Sequence, residues 1–167
     1  MKPVLKFLSL FFILLMISCG GEEKKKKSKK VKIGSQPIEK KAAPKKSNTK
    51  PSETIDLTNK GVGPITSVTL PSDIDQAMVT KGADVYKRMC TACHRADKKF
   101  IGPAPKGIMK RRTPEWIMNM ILDPEGMVKN DPLAKDLLME FNGAPMANQN
   151  LTEDEARDVL EYFRTLN

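Results

Sequence analysis

The second half of the chain repeats apolar residues with the period of an α-helix. Four segments place apolar side chains three, four and seven residues apart, which predicts four amphipathic helices. Strand-like alternation is absent from this half, so an all-α fold is predicted. The apolar positions are Ile74, Met78, Val85, Tyr86 and Met89; Trp116, Ile117, Met120 and Ile121; Leu133, Leu137, Leu138 and Phe141; and Ala156, Val159, Leu160, Phe163 and Leu166.

Helix-start patterns precede all four segments. Ser, Thr and Asp side chains accept hydrogen bonds from the free N–H groups of a first turn, and proline is favoured in that turn. Threonine with glutamate three residues later forms a capping box. The starting residues are Ser72, Thr113 before Pro114, Asp131 before Pro132, and Thr152 with Glu155. We therefore expect a helical domain over residues 72–167.

Two lysines, Lys2 and Lys6, precede an apolar run over residues 7–17. That run is shorter than the roughly 20 apolar residues of a membrane-spanning helix, but it has the length of an export-signal core. Met16, Ile17 and Ser18 before Cys19 resemble a lipobox, with methionine where leucine is commonest. We expect residues 1–18 to be a lipoprotein signal peptide and Cys19 to carry the lipid. An ordinary signal peptide with a bystander cysteine is the alternative.

The net charge of +9 lies almost wholly in the segment after the signal peptide. Residues 20–53 hold 12 Lys and 4 Glu, a balance of +8, whereas residues 54–167 hold 15 Lys plus Arg and 16 Asp plus Glu, a balance of −1. This location excludes a nucleic-acid-binding domain. A lysine-rich segment with few aromatic residues cannot bury enough apolar surface to fold, so residues 19–58 are predicted to be a disordered linker. Residues 59–71 are predicted to form an extended arm or one short strand.

The pentad CTACH at residues 90–94 holds the chain's only histidine and two of its three cysteines. Two thiols separated by two residues and followed by histidine are typical of covalent haem attachment. Cys90 and Cys93 would bind the two vinyl groups of one haem, and His94 would ligate its iron. Structural zinc needs four ligands, and only Cys19 remains outside the pentad. A dithiol redox motif would favour a βαβ setting, which the helical pattern does not predict.

With this pentad, residues 72–167 resemble a class I c-type cytochrome of the small bacterial kind. The resemblance implies a cytochrome c fold of about four helices around one haem. It also implies that Gly82 and Tyr86 pack against the last helix. The partners expected there are Val159 and Tyr162, or Leu160 and Phe163.

The same resemblance implies a hydrogen bond to the iron-ligating histidine. In this family a Gly-Pro pair follows the haem motif, and the proline carbonyl accepts a bond from the histidine ring. Gly102 and Pro103 match the spacing of the short members. Such a bond would orient the imidazole of His94 and raise its basicity.

The second iron ligand cannot be histidine, and the family resemblance points to methionine. Met146 lies in the loop NGAPMANQN before the last predicted helix, where the family's ligand resides. Met127 is the runner-up and Met109 follows it. Asn148 or Asn150 could donate a hydrogen bond to the sulfur.

Two further groups are candidates for contact with the haem carboxylates. Trp116 would lie against the haem and offer its indole N–H to a propionate, as some tryptophans of the family do; plain core packing is the alternative. Lys110, Arg111 and Arg112 would neutralise propionates or attract an acidic partner, but a solvated helix end is the reading we favour.

The predicted function is single-electron transfer by a monomeric protein that is not an enzyme. The expected partners are an oxidase, a quinol oxidising complex or a nitrogen-oxide reductase, membrane-bound or periplasmic. A lipid on Cys19 would hold the protein to the inner or outer membrane, facing the periplasm. The alternative is a haem enzyme or gas sensor, but no second histidine is present as a distal acid–base group.

Overall fold

The computed structural model describes residues 49–167. Within that range the chain is helical and contains no strand, which confirms the all-α prediction. The described residues form five α-helices: α1 (Gln76–Met89), α2 (Pro114–Leu122), α3 (Pro124–Asn130), α4 (Pro132–Glu140) and α5 (Glu153–Arg164). A 3₁₀ turn, Ile108–Lys110, lies between α1 and α2.

The first and last helices, α1 and α5, cross in contact at Gly82. A Cβ atom at Gly82 would lie 2.0 Å from the carbonyl oxygen of Asp158, so only glycine permits this approach of the two backbones. One turn later the ring of Tyr86 lies 5.4 Å from that of Tyr162 and 5.7 Å from that of Phe163, centroid to centroid. These contacts confirm the predicted packing of Gly82 and Tyr86 on the last helix.

Three of the four predicted helix starts are confirmed by their side-chain hydrogen bonds. Thr113, Asp131 and Thr152 cap α2, α4 and α5, and Thr152 forms the capping box with Glu155. The start of α1 was predicted wrongly, because Asp75 and not Ser72 accepts bonds from the first-turn N–H groups. Both residues can cap a helix, and the apolar period alone does not distinguish starts three residues apart.

Helix α3 is an element that the sequence pattern did not predict. Asp123 caps it and Pro124 opens it, the same Asp-Pro start as in α4. With only seven residues the helix shows too few apolar positions to reveal a period. Its Met127 is fully buried, and the Val62 N–H donates to its sulfur at 3.1 Å.

The arm of residues 59–71 contains no strand and bends at residues 62–64, and side chains of α2 hold it. The buried side chain of Asn119 donates to the carbonyls of Lys60 and Ile65 and accepts from the Ile65 N–H. Glu115 accepts from the Val68 N–H and pairs with Lys60 at 3.2 Å. The arm is thus attached along the outer side of α2 by side-chain to backbone hydrogen bonds.

The predicted disordered linker extends too far toward the domain. Residues 50–58 at its end are bound to the helical domain: Ser52 bonds to Glu140 of α4, and Arg112, just before α2, bonds to two backbone carbonyls of this segment. Composition could not reveal this, since the partners lie 58 to 88 residues away in the sequence. The predicted signal peptide (1–18), Cys19 and the rest of the linker lie outside the described residues.

No helix within residues 49–167 is both long enough and apolar enough to cross a membrane.

A buried carboxylate joins α5 to the start of α1. Glu161 is 1% exposed, and it accepts from Arg157 and Arg164 at 2.6 Å each and from the Asp75 N–H at 3.0 Å. Burial by itself would raise the pKa of Glu161, but these hydrogen bonds and the two arginine charges lower it overall. The carboxylate therefore remains ionised on folding.

Glu161→Gln is expected to destabilise the fold by about 3 kcal/mol at neutral pH, because two arginines lose their buried partner. A lowered carboxyl pKa stabilises the folded state fully above the ordinary value of 4.5, and this contribution is lost as the pH falls through the folded value. The difference in unfolding free energy between the wild type and Glu161→Gln should therefore become smaller at acid pH. Chemical denaturation at several pH values measures both effects. Glu153→Gln, an exposed change in the first turn of α5, should cost only a few tenths of a kcal/mol.

Candidate functional site

A large apolar cavity lies between the helices and the loops that follow α1 and α4. Aliphatic and aromatic side chains form most of its wall. All three functional residues of CTACH reach it, as do Pro103, Trp116 and Met146. The helical part of the wall includes Tyr86 and Met89 from α1; Ile117, Met120 and Ile121 from α2; Val128 from α3; Ala134, Leu137 and Leu138 from α4; and Val159 and Phe163 from α5.

The end of α1 places the two thiols and the imidazole on one turn. Cys90 caps α1, and its carbonyl accepts from the N–H groups of both Cys93 and His94, at 3.1 and 2.9 Å. This turn presents the three side chains to the same cavity. Neither Cys90 nor Cys93 is in a disulfide.

His94 is oriented by the backbone that follows it. Its Nδ1 lies 2.8 Å from the Pro103 carbonyl oxygen, and a carbonyl can only accept, so Nδ1 carries the proton. The lone pair is then on Nε2, the atom that a metal would use. A Cβ atom at Gly102 would lie 2.4 Å from Cε1 of His94, so glycine is needed beside the ring. The contact predicted for Pro103 is present.

The thiol of Cys90 is partly buried beside this turn. Burial, with a smaller contribution from the neighbouring Cys93, raises the pKa of Cys90 to about 11. The group is therefore a protonated thiol at neutral pH. Thioether formation with a haem vinyl group would add this S–H group across the double bond, with the sulfur as the nucleophile.

The three candidate methionines occupy different places. Met146 is half-buried and lines the cavity, whereas Met127 is fully buried under the arm and Met109 does not reach the cavity wall. Met89 and Met120, which we expected to be core residues, also line the cavity, from α1 and α2. The Asn148 side chain donates to the Leu122 carbonyl at 3.2 Å and so ties the Met146 loop to the end of α2.

One polar atom in the cavity wall has no partner. The Tyr86 hydroxyl is buried, and no hydrogen bond to it exists within the described part of the chain. Burial, the largest cause, raises the pKa of Tyr86 to about 12, so the phenol is neutral. A buried hydroxyl group without a hydrogen-bond partner, in an otherwise apolar wall, indicates that another group fills the cavity. Two thiols, one imidazole and this wall fit a covalently bound haem.

The family comparison agrees with this site chemistry. The family model described as "Cytochrome c" matches residues 79–167, more than half of the chain. The chain belongs to the cytochrome c family.

Related sequences and solved structures are of the same kind. Cytochrome c2 of Rhodopseudomonas palustris is 29% identical over 110 residues, which is 52% of this chain and 96% of the relative. Cytochrome c from Rhodothermus marinus is 43% identical, with a TM-score of 0.60 over 62% of this chain and 89% of that one. An engineered form of the same protein is 42% identical with the same TM-score. This cytochrome is thus a monohaem electron carrier with one covalently bound haem c, and not an enzyme.

Trp116 has a different role in this cytochrome from the one predicted. Its indole N–H donates to Asp131 at 3.2 Å, the residue that caps α4. The prediction that this N–H serves a propionate is therefore wrong. The ring is 3% exposed and lines the cavity, so Trp116 acts through packing.

The basic cluster before α2 is only partly solvated. Lys110 is exposed, but Arg111 and Arg112 line the haem cavity of the cytochrome, and Arg112 is only 3% exposed. Our preferred reading of a solvated helix end is wrong for the two arginines. Burial lowers the pKa of both. The sequence offered no pattern for this, because the carbonyls that hold Arg112 come from residues 51 and 54.

Proposed function

We propose that this cytochrome carries single electrons through haem iron ligated by His94 and Met146, while a lipid on Cys19 tethers it to a membrane. The observation that supports the ligand pair is that both side chains line the cavity that receives Cys90 and Cys93. His94 is also the chain's only histidine. The haem supplies an iron that alternates between the ferrous and ferric states.

The protein residues would control the iron by ligation and by excluding water. Pro103 holds the His94 ring with Nε2 unprotonated. The thioether of Met146 is a neutral ligand, and it favours the ferrous state relative to a second histidine. The apolar wall also favours the ferrous state, because the ferric form carries more positive charge and is stabilised more by solvation. With His94 and Met146 both holding the iron, electrons could enter and leave without a bond to substrate.

The tether is supported by the sequence pattern at residues 7–19. A lipid-anchored cytochrome would stay close to membrane-bound or periplasmic partners, and its effective concentration near them would be raised. An oxidase, a quinol oxidising complex or a nitrogen-oxide reductase would be suitable partners. The proposed location is the cell envelope, on the periplasmic side of the inner or outer membrane.

Cys19→Ser is expected to move the protein from the membrane fraction to the soluble periplasmic fraction, with its haem spectrum unchanged. Fractionation of cells that export the full chain, followed by haem staining, makes the measurement. A high-salt wash before fractionation removes protein held only by the basic segment, since salt screens charges at the surface. Met16→Leu, which brings the lipobox closer to the commonest pattern, should remain membrane-bound. A mass of the mature wild-type protein that shows no lipid on Cys19 would exclude the lipid tether.

A further inference from the structure

A buried cation in the cavity wall forms no ion pair with a carboxylate of the described residues, and the charges of Asp56, Asp131 and Glu140 act on it only at longer range. The guanidinium of Arg112 makes no ion pair with any acid in residues 49–167. Its donors go to backbone carbonyls: NH1 to Thr54 and Arg111, and NH2 to Pro51 at 2.6 Å. It also lies over the Trp116 ring, 5.2 Å from the centroid. A desolvated charge is costly unless dipoles or an anion compensate it.

Two of these three carbonyls belong to a segment far from Arg112 in the sequence. We call residues 51–56 the latch. The Asp56 N–H donates to the Arg111 carbonyl at 2.9 Å, and the latch and Arg112 form an isolated bridge there. At its other end, Ser52 donates its N–H and its hydroxyl to the Glu140 carboxylate, at 2.7 and 2.6 Å. The latch is therefore attached at both ends, and Ser52 itself lines the cavity.

The latch contacts the Arg112 guanidinium, and Arg112 is only 3% exposed. While the latch is closed, the guanidinium lies in a poorly solvated wall, where a positive charge acts on the haem with little screening. Reduction of the iron adds one electron, so a nearby positive charge stabilises the reduced form. With the latch open, Arg112 would be hydrated and its field at the haem would weaken.

We propose that the latch is a positioning element: by holding Arg112 in the cavity wall, it raises the reduction potential of the haem. This inference rests on the haem-binding function of the cavity and is independent of the tether. It connects the segment that precedes the arm with the redox centre.

The test uses the full-length holoprotein and changes no charge in the latch. The double variant Pro51→Gly with Ser52→Ala loosens the latch, and Pro64→Gly with Ser67→Ala makes the same two kinds of change at exposed positions of the arm. Spectroelectrochemistry gives the midpoint potential, and amide hydrogen exchange at Asp56 reports whether the latch is open. Arg112→Gln is made alone and combined with the latch variant, with Arg112→Lys as the charge-retaining variant.

The latch variant should lower the reduced-to-oxidised ratio at the wild-type midpoint potential by about threefold, as expected for a charge that moves from a low-dielectric wall toward water. The arm control should leave the ratio unchanged. In the Arg112→Gln background the latch variant should leave the reduced-to-oxidised ratio almost unchanged, because both changes act through the same charge. Arg112→Lys should lie between wild type and Arg112→Gln.

Three results would overturn the proposal. The first is Asp56 exchange in the latch variant that stays as slow as in wild type, since Ser52 would then not hold the latch. The second is an open latch with an unchanged potential. The third is an equal shift with and without Arg112. Absence of haem from the wild-type protein would instead contradict the cytochrome function, so the two failures are distinguishable.

Discussion

Met146→Ala is expected to abolish the weak long-wavelength charge-transfer band of Met-ligated ferric haem while leaving the haem covalently attached. The thioether bonds to Cys90 and Cys93 do not depend on the sixth ligand. The midpoint potential should fall by about 0.1 V or more, since axial ligands tune haem potentials over a range of about 0.8 V. Optical spectra of the oxidised and reduced protein, with a redox titration, make the measurement.

The same variant should also open the iron to external ligands. Carbon monoxide should bind the reduced Met146→Ala protein rapidly at neutral pH, whereas the wild type should bind it poorly because its sixth position is occupied. Carbon monoxide difference spectra distinguish these cases. Ready binding by the wild type would instead support the gas-sensor alternative.

Met127→Ala is the matched control for the ligand assignment. Met127 is fully buried between the arm and Trp116, so its loss should cost about 2–5 kcal/mol of stability through a cavity. The charge-transfer band should remain. If the band survives in Met146→Ala, then Met89 and Met120 become the candidates, because they also line the cavity. Their alanine variants would decide between them.

Gly82→Ala is expected to destabilise the folded protein by about 3 kcal/mol or more, at the upper end of overpacking costs. The new methyl group would lie 2.0 Å from a backbone oxygen of α5, and neither helix backbone can yield as a side chain would. The crossing of α1 and α5 would have to open, and Tyr86 would lose its contacts with Tyr162 and Phe163. Chemical denaturation of the purified holoprotein measures the loss.

A change on the exposed side of the same helix serves as the control. Thr80→Ala removes an exposed hydroxyl that bonds only to the Gln76 carbonyl, and alanine favours the helix. Its stability should be equal to or slightly above that of the wild type. If Gly82→Ala were as stable as Thr80→Ala, the close crossing of the two helices would not be required for the fold.

Local patterns were sufficient for most of the helical fold. Start residues such as Thr113, Asp131 and Thr152 act on N–H groups two or three positions away, so sequence alone reveals them. The haem-binding residues of CTACH could also be predicted from the local sequence, because their three side chains share one turn and reach one cavity without a distant partner. The same local rules failed for α3, because its Asp-Pro start is followed by only seven helical residues.

The place of Met146 was predicted through the family resemblance and not from the residue pattern alone. Nine methionines follow the first residue, and periodicity does not separate a ligand from core filler. The structure narrows the candidates: Met127 is under the arm and Met109 does not reach the cavity wall, whereas Met146, Met89 and Met120 line the cavity. The ligand itself stays a prediction until the Met146→Ala spectrum is measured.

By itself, therefore, the sequence determined four of the five helices in residues 49–167, three of the four predicted caps and the chemistry of the haem-binding turn, because these depend on residues within about four positions of one another. Only the tertiary structure decided which distant groups meet. It paired Trp116 with Asp131, Arg112 with the carbonyls of residues 51 and 54, and Ser52 with Glu140. Such pairs follow from how the helices pack, and a lysine-rich composition around residue 50 cannot reveal a hydrogen bond to a partner 88 residues away.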